Sequence, residues 1–237
     1  QATEITEKGA DSTTEIPIED SNLVGSQTLS SSFGTLEVDN TYPTDETIQR
    51  LYEVRDIQRA VELYMWALPL VQFQAWKEGQ EDAVGEGGMV YSTFNEQASL
   101  VTGNATTPYI MTWPDLSETG PMVVEMPAGQ YASAILDWWE YPVCDLGLSG
   151  PDKGKGGKYI IVGPEEDLGK YKDKADYAFQ SRTQKLFIGF RVLNPGETAI
   201  KEFLSKVKIY PFGSEAKAPS FALKSDKTWD GNPPLGL

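Results

Sequence analysis

Over the first 40 residues Ser, Thr, Asp and Glu dominate, and apolar side chains come in short pieces: Ile16 and Ile18, Leu23 and Val24, then Phe33, Leu36 and Val38. So little apolar material cannot offset the entropy of ordering the chain. Residues 1–40 are therefore expected to form an extended polar arm, its apolar pieces satisfied by pairing along a sheet edge. From Thr44 the period changes to that of a helix. Thr44 is a good N-cap, Asp45 and Glu46 suit the positive end of the dipole, and Ile48, Leu51 and Tyr52 follow at helical spacing. A second helix is expected after Asp56, with Ile57, Ala60, Val61, Tyr64 and Leu68 three or four apart. Met65, Trp66, Leu70, Val71 and Phe73 make its later part apolar nearly all round, which predicts burial, and Pro69 predicts a kink.

After Gly79 the pattern shortens into strands divided by Gly and Pro: residues 89–94, 109–112, 122–126, 131–138, 159–162, 185–193 and 207–212. One helix, 197–207, interrupts them with Ala199, Phe203 and Leu204 inward. Residues 213–237 lose periodicity and end in Asn232-Pro233-Pro234, so they are expected to form an extended tail or linker. The fold class that follows is α+β, mainly β: an antiparallel sandwich or jelly-roll domain over residues 41–212, with N-terminal helices and the arm.

Composition narrows the function. With 237 residues, 40% hydrophobic, the chain can bury a real core. Its formal charge of −15 disfavours phosphate backbones and anionic lipid, so neither nucleic acid nor a membrane surface is an expected partner. The longest apolar stretch, 60–76, is broken by Glu62, Pro69, Gln72 and Gln74 and falls short of the roughly 20 residues of a membrane span. A first residue Gln1 in place of Met fits a mature exported chain, and a secreted, cell-surface or periplasmic location is expected. Cys144 is the sole cysteine and reads as a small buried apolar side chain. There is no histidine. That removes Ser-His-Asp and Cys-His catalysis and the commonest metal ligand, so no metal or cofactor is expected and the reading leans away from an enzyme.

Several motifs stand in one order: Ala67-Leu68-Pro69, then Asn104, Thr107 and Tyr109, then Asp115-Leu116, Gly120-Pro121, Tyr159 and Gly163-Pro164. In that order they resemble the bacterial family called domain of unknown function 1254. The resemblance implies a bacterial source and a second domain commonly following this one; it implies no agreed activity. Thr106 stands where the family usually has Asp, which argues for a scaffold role in that turn over acid, base or metal chemistry. Arg191 matches an Arg frequent in the family.

Candidate site residues fall in three groups. Asn104 and Thr107 have the side chains that bond nearby backbone and fix a turn before Tyr109, and a structural role explains them fully. Asn104 also opens a glycosylation triplet, relevant only to a secreted glycoprotein. In the run 136–141, Asp137 shares a strand face with Tyr131, Ser133 and Ile135, and Trp138 shares the other with Leu136 and Ala134. With Trp138 inward, Asp137 points outward, and Trp138, Trp139 and Tyr141 offer a stacking platform for a carbohydrate or other small ligand. The alternative is a core Trp beside a solvated carboxylate. Asp115, Asp137 and Arg191 are the candidates for carboxylate chemistry, with Arg191 expected to pair with Asp115 or Asp137 or to lie outward on the surface. The Gly154-Lys155-Gly156-Gly157-Lys158 stretch leads into a strand and so is a surface turn, not a phosphate loop.

Three functions stay open: a structural or binding protein that self-associates through residues 1–40, a carboxylate-based hydrolase or lyase acting on a small organic or sugar substrate, and a carbohydrate-binding module.

Overall fold

The computed structural model describes residues 25–86, 89–92, 98–100, 103–214, 221–223, 229–230 and 232. The apolar pieces at Ile16, Ile18, Leu23 and Val24, and the end of the strand expected over 89–94, lie outside the described residues. The chain divides into two compact units, Gln1–Tyr64 and Met65–Leu237.

In the first unit, the described part of the expected arm is a hairpin. β1 (Ser26–Ser31) and β2 (Gly34–Asp39) pair in antiparallel register across a two-residue turn, and β3 (Tyr42–Pro43) adds to β2. Asn40 and Thr41 both take positive φ, 47° and 75°, as the tight turn between β2 and β3 requires. The backbone groups of β1 and β2 that face one another are thus satisfied within the hairpin. α1 (Asp45–Val84) follows as a single 40-residue helix in place of the two expected, with Pro69 inside it. Thr44 caps it as anticipated, its hydroxyl accepting from the Thr47 amide at 3.3 Å. The buried Thr47 hydroxyl accepts the Glu37 amide at 2.7 Å, and Arg50 donates to the Thr35 carbonyl, so the helix start is tied to β2.

The second unit is mainly β. Its elements are β4 (Met89–Ser92), β5 (Ala98–Ser99), β6 (Tyr109–Thr112), α2 (Leu116–Thr119), β7 (Met122–Met126), β8 (Tyr131–Asp137), β9 (Pro142–Gly147) and β10 (Gly157–Val162), followed by a 3₁₀ turn over Leu168–Tyr171. β11 (Tyr177–Gln180), β12 (Leu186–Val192), α3 (Glu197–Leu204), β13 (Lys208–Pro211), β14 (Phe221–Leu223) and β15 (Trp229–Asp230) complete it. A six-stranded sheet runs β14-β4-β6-β12-β8-β9 and a four-stranded one β11-β10-β7-β13; both are mostly antiparallel. Their facing sides meet in one core that includes Ile110, Val124, Ile135, Tyr159, Ile188 and Phe190, closed at one end by Phe203 and Leu204 of α3. The other face of the six-stranded sheet is covered too. There Phe73 and Ala83 of α1 pack with Met111, Trp113 and Phe187.

That second layer explains why β12 reads LFIGF with no polar alternation: both its faces are buried. Within the expected extended tail, β14 lies parallel to β4 and β15 parallel to β5, with Trp229 buried in the helix-side cluster. The Lys-Gly turn is held from below by Asp152, 2% exposed, which accepts from the hydroxyls of Tyr131 and Tyr159 and from the amides of Gly147 (2.8 Å) and Gly156 (3.3 Å). Cys144 is buried as expected. No described helix is long and apolar enough to cross a membrane.

Candidate functional site

The β8–β9 turn brings a buried carboxylate, Asp137, next to the exposed Tyr141. β8 places Asp137 at its end on the Tyr131 and Ile135 side, as the strand period dictates, but that side faces the sandwich core. Asp137 is fully buried, which corrects the outward orientation expected for it. The physical reason is that the sheet is covered on both faces, so neither side of β8 leads to solvent. Its carboxylate is nonetheless fully engaged: Oδ1 accepts from the Trp139 amide at 2.9 Å and the Tyr141 amide at 3.0 Å, and Oδ2 accepts from Arg182 Nε at 2.8 Å and forms an ion pair with Nη2 at 2.7 Å. The turn is therefore built around Asp137. Glu140 closes it at φ 60°, and local desolvation raises that carboxyl above its ordinary range even though the residue is exposed.

Arg182 is the residue that sequence reasoning missed. It lies 45 positions from Asp137, in a loop with no periodicity, and nothing local announces the pairing. Its guanidinium stacks on the Tyr141 ring at 3.9 Å, and Tyr141 is 57% exposed. Trp139 packs on Trp66 of α1 at 4.6 Å. Trp138 takes the inward position assigned to it, edge-on to Phe73 and Trp113 at 5.8 Å each, with Lys185 over its ring. An exposed ring braced by a fixed guanidinium is suited to stacking a sugar or aromatic ligand and giving it a hydrogen bond. The ring of Trp138 is committed to packing. It still forms one wall of a shallow groove with Leu70, Val71, Gln74, Ala75 and Glu78.

The three residues considered for carboxylate chemistry are not assembled. Asp115 caps α2, accepting from the Ser117 amide at 3.0 Å and its hydroxyl at 2.6 Å, and pairs across from Lys185 at the start of β12. Asp137 sits opposite the next residue, Leu186. Arg191 lies opposite Tyr109 near the far end of that strand, about 17 Å away at the rise of a strand. It is exposed, the outward alternative expected for it, and stacks over Tyr109 at 5.4 Å; the pairing with Asp137 is made by Arg182. In the motif turn, Asn104 Oδ1 accepts from the Thr106 amide (2.8 Å), the Thr106 hydroxyl (2.9 Å) and the Thr107 amide (3.1 Å). Those bonds are what the short-range chemistry of Asn predicts, and they use the Thr106 side chain for structure. Among the described residues no cluster of His, Cys, Asp and Glu is arranged to hold a metal ion.

Residues 88–211 match the family model described as Protein of unknown function (DUF1254). No curated protein matches the chain. Among solved structures, a crystal structure of the VPA0106 protein from Vibrio parahaemolyticus is similar at 14% identity and a TM-score of 0.45. That likeness covers 65% of this chain and 39% of the other, so this chain spans about two fifths of that protein's length.

Proposed function

The chain belongs to the DUF1254 family, and we propose that it is a secreted or envelope-associated association protein that assembles with copies of itself through its N-terminal segment. The observation that carries this reading is the location of its apolar surface. More than half of the exposed large hydrophobic side chains among the described residues lie on α1; those in the first unit include Ile48, Leu51, Tyr52, Ile57, Val61 and Leu63. A helix gains most of its stability from packing an apolar face, and apolar surface gathered on one element is the usual mark of an interaction site.

Comparing the native mass by light scattering with and without residues 1–24 tests the reading. That deletion leaves the β1–β2 hairpin intact. Oligomers or polymers that revert to monomer on deletion are expected, and equal masses would remove the reading. Location is tested separately, by finding the native protein in the medium or envelope fraction and not in the cytoplasm.

Carbohydrate binding at the β8–β9 turn is a second reading, favoured by the exposed Tyr141 ring held against Arg182. It expects an oligosaccharide to quench tryptophan fluorescence and Tyr141→Ala to abolish the effect; no oligosaccharide response, or one that survives the substitution, removes it.

A further inference from the structure

We infer that residues 15–20, reading Glu-Ile-Pro-Ile-Glu-Asp, of one copy dock on the first-unit face of α1 in a second copy, a pairing that rests on the self-association reading above. Ile48, Tyr52, Arg55 and Arg59 recur at intervals of four, three and four, so they form one stripe along the helix. Ile48, Leu51, Tyr52 and Arg55 line an apolar depression there. Arg55 lies over the Tyr52 ring at 4.4 Å, and its ion pair is with the adjacent, exposed Asp56, a type of surface pair that contributes little. Arg59 is exposed and has no ion-pair partner among the described residues. The stripe is thus an apolar floor followed by two guanidinium groups, of which Arg55 is shared with Asp56. In a chain of net charge −15 that combination selects for a ligand that is both apolar and acidic.

The segment before Gly25, outside the described residues, has that composition. It carries Glu4, Glu7, Asp11, Glu15, Glu19 and Asp20 against Lys8. It leads directly into Gly25, which is fixed to Asn40 by paired bonds of 2.9 and 3.0 Å. In the proposed pairing the segment lies extended, the backbone that Pro17 favours at Ile16, with Ile16, Ile18 and Asp20 on one side. Those side chains repeat about every 6.7 Å along an extended chain. The interval is close to the roughly 6 Å rise from Ile48 to Tyr52 along a helix. Ile16 and Ile18 then fill the depression and Asp20 meets Arg55 and Arg59.

The test is titration of a labelled peptide of residues 12–24 into protein lacking residues 1–24, with binding followed by fluorescence anisotropy. The peptide is expected to bind, and the double variant Arg55→Glu, Arg59→Glu, its helix content checked by circular dichroism, is expected to bind at least tenfold more weakly. An Asp20→Lys peptide is expected to recover binding to that double variant. Absence of binding, or equal binding to both proteins, overturns the docking. If full-length protein assembles through residues 1–24 but ignores both Arg substitutions, the docking falls while self-association stands. If the peptide binds but full-length protein is monomeric, the second-copy pairing and the self-association reading fall together.

Discussion

The two parts of α1 are continuous in sequence and in helical backbone, yet they differ in what their apolar residues do. From Met65 onward the helix buries Phe73 and Ala83 against Met111, Trp113 and Phe187, and Gln80 accepts the Trp113 indole N–H at 3.1 Å, but Met65, Trp66 and Val71 stay exposed, which corrects the burial expected for them. In the part up to Tyr64, Thr47 is buried, but Ile57, Val61, Leu63 and Tyr64 are exposed. The residue types are alike in the two parts, so hydrophobicity alone does not decide burial. Phe73 and Ala83 have the six-stranded sheet to pack on, whereas β2 ties only the start of the helix, at Thr47 and Arg50. The apolar surface left over is what an association role would use.

The largest effect expected to separate the two parts is on stability. Phe73→Ala should cost about 3–5 kcal/mol, the range for deleting a buried aromatic, read as a lowered denaturant midpoint in urea. A loss below about 1 kcal/mol would mean that the helix-side cluster is not a true core.

Alkaline titration should sharpen the same contrast, because its perturbed groups lie in the sandwich. Burial pushes the Cys144 thiol from 9.0 up to about 12, with Asp145 adding to the rise. Burial, then the Asp152 carboxylate, also raises the Tyr131 and Tyr159 hydroxyls above their ordinary 10.0. Each group keeps its proton in the folded state after the unfolded chain has released it. Stability is therefore whole below about pH 9 and falls as pH climbs toward 12. The urea midpoint should drop over that window, less steeply in Cys144→Ala; a flat profile would contradict the burial of these groups.

The smallest effect belongs to the exposed part. Val61→Ser should shift stability by no more than about 0.5 kcal/mol, as surface substitutions do. Its consequence should appear in native mass if α1 is an assembly surface. A large stability loss on this substitution would show that Val61 is buried in the monomer and erase the contrast.

What could be read early was local. Thr44 as a cap, the Asn104 turn, the α3 helix and the limits of β6 and β7 each depend on residues within a turn or two of one another. The hairpin at 26–39 was harder, since a Ser-rich stretch with a few apolar residues gives no composition signal, and its order comes from cross-strand bonding between β1 and β2. The continuity of α1 was obscured by Asp56, which resembles a helix start but sits mid-helix on the surface. At the candidate site, the alternation of β8 correctly put Asp137 opposite Trp138. It could not say that both sides of the strand would be covered.

The sequence by itself therefore determined the helix and strand periods, the caps and turns, the mainly β class and the family, because these follow from short-range bonding and side-chain spacing. Only the tertiary structure decided that Asp137 is buried and held by Arg182, that Arg191 stands at the far end of β12, and that the last described strands return to the domain. Those outcomes turn on contacts between residues tens of positions apart. No local pattern encodes which surface will cover which.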